Sequence, residues 1–251
     1  MSLLSIAIMG TGRMGTLIRS FAEAAHGADG EPEFEVVAQV GFDLGELEGA
    51  PAADAIIDFS NPAATDAVAA YVRRTGAALV SGTTGYSPEQ LETLRGLGSA
   101  ANVVWSGNYS IGVAALRHLA AQATRELPGF GVEIVECHHN QKVDAPSGTA
   151  KMLFDAVAGS AREAYGTELH AVHGREGACG KREPDEVGVH ALRGGTVAGV
   201  HTVSFFGPSE EITLTHRAES REIFVHGALA ATRRLVGMPH GFYTFDEVMF
   251  G

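Results

Sequence analysis

Leu4-Ser5-Ile6-Ala7-Ile8-Met9-Gly10-Thr11-Gly12-Arg13-Met14-Gly15 is the stretch that decides the fold. Leu4–Met9 is a short, mostly apolar run, as expected of a strand buried on both faces of a parallel sheet. A Gly-x-Gly-x-x-Gly pattern follows at once, and Met14–Ala25 then takes helical spacing. The three glycines meet one physical need. They allow a tight turn, close approach of main-chain N–H groups to a pyrophosphate, and a helix N-terminus aimed at its charge. Alone, the pattern describes any glycine-rich turn; its place between strand and helix is what favours nucleotide binding.

Working outward, apolar runs alternate with helical patterns across the first hundred residues. Strands are expected at Glu35–Val40, Ala55–Phe59, Ala77–Val80 and Asn102–Trp105, and helices at Ala63–Thr75 and Pro88–Ala100. Such alternation builds βαβ units with right-handed crossovers, hence an α/β fold with a doubly wound parallel sheet. Past Ser110 the pattern changes. A helix over Ile111–Glu126 precedes a strand over Val132–His138 and a helix near Ala150–Arg162. The β-rich stretch Glu186–Ala218, broken at Gly194-Gly195 and Gly207-Pro208, suits an antiparallel meander. Ser220–Leu235 returns to helix and could pack on the first domain. The expected division is residues 1–109 plus 219–251 for dinucleotide binding, and 110–218 as a second, α+β domain.

Composition narrows the class. The 251 residues are 45% hydrophobic and 19% charged, ample for a packed core, and the net charge of −12 argues against nucleic acid or an anionic membrane surface as partner. Glycine is abundant at 32 residues, as a fold of tight turns and close main-chain approaches requires. Two cysteines, Cys137 and Cys179, make neither a disulfide framework nor a zinc site, so a reducing cytoplasm is expected. No run reaches the roughly 18 apolar residues of a membrane span. The apolar start from Met1 lacks a basic leader and reads as a first strand, not a signal peptide.

Asp58-Phe59-Ser60-Asn61-Pro62, Ser81-Gly82-Thr83-Thr84-Gly85 and Gly107-Asn108-Tyr109-Ser110 each follow a hydrophobic run. They project from the carboxyl ends of parallel strands, where open α/β sheets bind ligands, although Ser60 and Thr84 could equally serve as helix caps. Asp43, after Gly41 and Phe42, lies late for a ribose-binding acid, so the choice between NADH and NADPH stays open.

The segment Glu136-Cys137-His138-His139-Asn140-Gln141-Lys142-Val143-Asp144-Ala145-Pro146-Ser147-Gly148-Thr149 carries the most chemistry. A helix start offering the Gly148 and Thr149 amides is a carboxylate site, with His138, His139 and Lys142 supplying protons and positive charge. No Cys or carboxylate has the spacing to join the histidines around zinc, so no metal is expected. Ser147 lies outside any nucleophile elbow, and Cys137 reads as buried bulk. Arg193 and Arg221 could touch substrate or cofactor phosphates, or be surface charges and strand-end caps.

On these residues the chain resembles the 4-hydroxy-tetrahydrodipicolinate reductases, also called dihydrodipicolinate reductases, of the diaminopimelate–lysine pathway. The resemblance runs nearly the whole length and rests above all on the H-H-x-x-K-x-D-A-P-S-G-T-A run at His138–Ala150. It implies nicotinamide cofactor contacts, to NADH or NADPH, from Gly10, Thr11, Gly12, Arg13, Met14, Gly15, Gly82, Thr83, Thr84, Ser106, Gly107, Asn108 and Tyr109; Arg221 joins the cofactor-binding candidates on its charge alone. It implies His138 as general acid/base, Lys142 as proton donor, and His139, Lys142, Ser147, Gly148 and Thr149 as contacts to a small cyclic dicarboxylate. It also implies a homotetramer built through the second domain's sheet. Two departures stand out: Asn140-Gln141 replaces basic residues of many members, and Gly41 or Phe42 stands where many have the ribose-binding acid. A dehydrogenase for another imine or amino acid, and a non-catalytic NAD(P)-binding sensor, are the rival readings.

Overall fold

The computed structural model describes residues 2–251; Met1, where the sequence reading opens the first domain, lies outside them. The chain divides into two compact units, one of residues through Ile111 together with Glu222–Gly251, the other Gly112–Arg221.

In the first unit β1 (Leu4–Met9) leads into α1 (Arg13–Ala24), β2 (Phe34–Val40) and a short α2 (Gly45–Gly49). β3 (Ala55–Asp58), α3 (Thr65–Thr75), β4 (Ala78–Ser81), α4 (Pro88–Leu97) and β5 (Asn102–Trp105) follow. β3 and β4 are buried at every position, because helices cover both faces of the sheet. Local signals set the helix ends. Gly15, Ile18 and Ala22 form the buried stripe of α1, Gly76 closes α3 in the left-handed conformation, and a Ser87–Gln90 capping box with Pro88 opens α4.

The second unit holds α5 (Ile111–Glu126, from its second residue), β6 (Gly131–His138), α6 (Gly148–Tyr165), β7 (His170–Val172), β8 (Glu186–Arg193), β9 (Gly199–Gly207) and β10 (Glu210–Ala218). The chain then returns to the first unit as α7 (Glu222–Leu235), β11 (Gly241–Tyr243) and α8 (Phe245–Phe250). α7 packs on α1 and β4 there, as the sequence leads one to expect.

All strand pairs of the first sheet are parallel, in the order β11-β5-β4-β3-β1-β2. The order reverses at β1, so the crevice beyond the carboxyl ends of β1 and β3 is the topological switch point where such sheets take ligands. This is the expected Rossmann-type, doubly wound arrangement. The second sheet, ordered β10-β9-β6-β8-β7, is mixed. Its buried residues Val132, Ile134, Val187, Val189, Val203 and Phe205 pack with Leu153 and Val157 of α6. Each such side chain contributes about 1.5–3 kcal/mol by leaving water.

The meander expected over Glu186–Ala218 is corrected. Only β9 and β10 form a hairpin, while β8 pairs parallel with β6 on that strand's far side. Gly194-Gly195 is not a hairpin turn but a crossing over the end of β6. The Gly194 amide donates to the His138 carbonyl, and the His139 and Asn140 amides donate back to the Val197 and Gly195 carbonyls. Sequence spacing alone cannot tell a turn between neighbours from a loop that straddles an intervening strand. The short α2, β7, β11 and α8 are further elements that the periodicity did not indicate.

Candidate active site

The turn after β1 has the geometry of a phosphate cradle. Gly10 takes φ +121°, where a Cβ would sit 2.9 Å from the Phe59 carbonyl oxygen. A Cβ on Gly15 would lie 2.0 Å from the Gly10 carbonyl oxygen, so only glycine lets α1 start this close to the strand. Gly12, Thr11 and Arg13 are exposed, and a Cβ on Gly12 would meet nothing within 4 Å. α1 has no side-chain N-cap and no acid in its first turn. Its leading amides therefore lack a capping side chain, and the turn fits a dinucleotide pyrophosphate. At the end of β2, Asp43 accepts from the Gly45 amide at 3.1 Å and Phe42 is fully exposed. Asp43 thus holds the turn that leads into α2.

At the carboxyl ends of β3 and β4 a buried carboxylate ties two loops together. Asp58 Oδ1 accepts from Ser60 Oγ at 2.5 Å, and Oδ2 accepts from Tyr86 OH at 2.9 Å and Ser81 Oγ at 3.2 Å. The Ser60 amide donates to Thr83 Oγ1 at 3.0 Å, and Trp105 Nε1 donates to the Thr83 carbonyl at 2.9 Å. Burial and then the Asp58 charge hold the Tyr86 hydroxyl well above the ordinary tyrosine value, so it stays a donor. Gly82 lies under the Phe59 ring, where a Cβ would come within 2.3 Å. Thr83 is buried and Thr84 exposed. After β5, Ser106 Oγ donates to the Asn108 carbonyl and Gly107 is exposed. Tyr109 is buried, its hydroxyl donating to the Ser81 carbonyl at 2.9 Å and its own carbonyl packed against Gly227, so it shapes this loop from beneath. Gly10–Gly15, Gly82–Thr84 and Ser106–Tyr109 follow the carboxyl ends of β1, β4 and β5 of the one parallel sheet, with β3 between β1 and β4. Arg221 is exposed and ends the second unit.

In the second unit the alternation of β6 puts Val132, Ile134, Glu136 and His138 on its buried face. Glu136 is completely buried. Its Oε2 accepts from His138 Nδ1 at 2.6 Å and Arg193 Nη1 at 2.8 Å, and its Oε1 accepts from Arg193 Nη2 at 2.8 Å and the Ser147 amide at 3.0 Å. Burial pushes this carboxyl up, but the hydrogen bonds from Arg193, His138 and Ser147 outweigh it and hold it below the ordinary glutamate value. Arg193 is therefore committed to Glu136 and to the Asp144 carbonyl.

Ser147 caps α6, its Oγ accepting from the Ala150 amide at 3.2 Å. Gly148 is exposed with open space where a side chain would be, and Thr149 is half-buried beside it. No acid occupies the first turn of α6, so this helix end is electrostatically suited to an anion. Lys142 lies in the loop between β6 and α6, its Nζ 2.8 Å from Asp144 Oδ1. That contact lowers the Asp144 carboxyl below its usual value. His139 is half-buried at the end of β6. His138, His139, Lys142, Ser147, Gly148 and Thr149 thus all lie on one strand end, one loop and one helix start.

His201 was not singled out from the sequence. It sits on the buried face of β9, its ring edge-on to His138 with centroids 5.1 Å apart, and its Nε2 is 3.1 Å from Ser147 Oγ. Its Nδ1 has no hydrogen-bond partner among the described residues. Burial, then the positive charge of His138, lowers its pKa from 6.5 to about 4. Above pH 6.5 the ring is neutral in folded and unfolded chains alike. As pH falls below that, the unfolded chain takes up a proton that the folded chain refuses until about pH 4. Stability from this group is thus present above pH 6.5 and lost on acidification, by about 2–3 kcal/mol at pH 4.5. Urea unfolding of His201→Gln between pH 6.5 and 4.5 is expected to show a shallower loss than the parent; an equal slope contradicts it.

Glu136 and His201 both had a signal available: each sits at an inward position of a strand whose alternation was already legible. Gly199 had none. A Cβ there would lie 3.1 Å from His138 Nε2, a proximity set only by strand pairing. Among the described residues no group of three or more His, Cys, Asp or Glu is placed to hold a metal ion, and no helix is long and apolar enough to cross a membrane.

A 4-hydroxy-tetrahydrodipicolinate reductase of Rhodopseudomonas palustris is 41% identical over 271 aligned residues, covering 99% of this chain and 98% of that protein. One from Caldanaerobacter subterraneus is 38% identical over 249, covering 95% and 94%. The fold matches a dipicolinate-bound dihydrodipicolinate reductase from Paenisporosarcina with a TM-score of 0.77 at 22% identity, over 99% of this chain and 100% of that one. Residues 4–109 match the family described as dihydrodipicolinate reductase, N-terminus, and residues 112–249 its C-terminus, so the chain belongs to the dihydrodipicolinate reductase family.

Proposed function

We propose that this chain reduces 4-hydroxy-tetrahydrodipicolinate to tetrahydrodipicolinate at the expense of NADH or NADPH, with loss of water, in diaminopimelate and lysine biosynthesis. The observation that carries the reading is the hydrogen-bonded unit at the end of β6. There Glu136 joins a buried histidine to the Ser147 amide that opens an anion-receptive helix.

The nicotinamide cofactor, when bound, supplies a hydride. Gly10, Thr11, Gly12, Arg13, Met14 and Gly15 would hold its pyrophosphate, with Arg221 adding positive charge. Gly82, Thr83, Thr84, Ser106, Gly107, Asn108 and Tyr109 would border the nicotinamide end, held in shape by Asp58 and Trp105. Gly148 and Thr149 would take one substrate carboxylate and His139 and Lys142 the other charge, while Ser147, buried with its amide on Glu136 and its Oγ on the Ala150 amide, builds the helix start beneath them. His138 acts as general acid/base, with Nδ1 fixed by Glu136 and Nε2 available for proton exchange. Lys142 Nζ delivers a proton to the reduced substrate, and Asp144, 2.8 Å away, orients it beforehand.

The same reading makes the protein cytoplasmic and homotetrameric through the second sheet, whose helix-free face exposes Leu192 and Phe206. Dipicolinate, a planar and unreactive dicarboxylate, tests the substrate half-site directly by titration calorimetry. It is expected to bind the parent and to bind Thr149→Val and Lys142→Ala at least about tenfold more weakly. Equal affinity in all three contradicts the placement.

A further inference from the structure

We propose that Glu136 is a positioning residue whose buried carboxylate fixes His138 in the Nδ1–H tautomer and ties that ring to the start of α6. The inference rests on the proposed role of His138 in proton transfer and names what holds that group in its working form.

Glu136 and His138 are two residues apart on β6, so their side chains leave the same face. Every group around the carboxylate is a donor: two Arg193 nitrogens, the Ser147 amide and His138 Nδ1. Arg193 stands beside His138 in the parallel register of β6 and β8, which puts its guanidinium where it neutralises the carboxylate. An ionised carboxylate accepts only, so the His138 nitrogen at 2.6 Å must carry the hydrogen. The neutral ring then has its lone pair on Nε2, and the protonated ring has its transferable proton there. Gly199 leaves room on that side, since a Cβ would come within 3.1 Å of Nε2.

An ion pair kept only for stability would need Arg193 and nothing more, and buried pairs often add little. Here the same two oxygens also hold the ring and the amide that begins the anion-receptive helix. One group therefore sets the spacing between a proton-handling nitrogen and the point where a carboxylate would sit.

Glu136→Gln separates positioning from packing because it conserves shape. The amide has one accepting oxygen and one donating nitrogen. With its oxygen toward the two donors Ser147 N and Arg193 Nη2, its NH₂ faces His138 Nδ1 and Arg193 Nη1; Nη1 keeps its bond to the Leu192 carbonyl, and the contact with His138 is satisfied only if the ring moves its hydrogen to Nε2. Imidazole ¹⁵N spectra of the full-length protein, above the titration range of the ring, are expected to show Nδ1–H in the parent and Nε2–H in the variant. Turnover is expected to fall about 10²–10⁴-fold with KM changed less than about threefold, as when a histidine base is held in the wrong tautomer. Glu136→Asp keeps the charge and is expected to retain Nδ1–H and recover at least about tenfold of the lost turnover.

A folded Gln variant with Nδ1–H unchanged overturns the proposal, whatever its rate. Should that variant not fold, the parent spectrum decides, and an Nε2–H ring in the parent overturns it. A parent that shows the tautomer and its switch but no reductase activity supports the positioning and counts against the proposed function alone.

Discussion

Lys142→Ala and His138→Ala are each expected to lower kcat by about 10²–10⁴-fold, the range over which a positioned acid or base normally acts. The expectation for Lys142 comes from its place in the loop between β6 and α6, near the helix start that would take a substrate carboxylate, with its ammonium held by Asp144. That ion pair is largely exposed on the Asp144 side and adds little to stability, so the variant should fold normally. For His138 the ring is buried and held through Nδ1, and its loss leaves Glu136 satisfied by Arg193 and Ser147. Steady-state kinetics with dipicolinate affinities measured in parallel separate the roles. Lys142→Ala should lose both turnover and affinity, and His138→Ala mainly turnover. Parental turnover in either variant removes that residue from the mechanism.

The second large effect is expected at Gly15. A methyl placed 2.0 Å from the Gly10 carbonyl oxygen meets main chain, not a side chain that could swing away, so α1 must shift from β1. Overpacking of this kind costs about 1–3 kcal/mol, and moving the leading amides should weaken cofactor binding at least about tenfold. Gly12→Ala is the control. Its methyl meets nothing within 4 Å, so thermal stability should stay near that of the parent while the group intrudes where the pyrophosphate would lie. NADH fluorescence titrations and melting curves of the pair check this. Gly15→Ala with parental stability and affinity contradicts it.

Much of the first unit was legible because its signals are local. Leu4–Met9 and Asn102–Trp105 form strands at the expected bounds, since buried parallel strands are short apolar runs with turn residues at each end. The β1–α1 glycines showed themselves for the same reason. Ile111–Glu126 is likewise helical throughout. What depended on partners far along the chain was not legible. Arg193 reads as one more surface cation until β8 is paired with β6, which places it against a carboxylate 57 residues away. Asp58 reads as one loop residue of several until β4 brings Ser81 and Tyr86 beside it. His201 and Gly199 belong to the same class, their meaning fixed by the β6–β9 register. The chemical run His138–Thr149 was visible, and the groups that hold it in place came only with the fold.

The central claim is tested most directly by following NADH and NADPH oxidation while 4-hydroxy-tetrahydrodipicolinate is generated in place from pyruvate and aspartate semialdehyde by a coupled synthase. Oxidation is expected to require the substrate and to slow about 10²–10⁴-fold when Lys142 is replaced by Ala. The ratio of the two rates then reports how Gly41 and Phe42 set the cofactor preference. No substrate-dependent oxidation of either nicotinamide, by folded protein that still binds the cofactor, contradicts it.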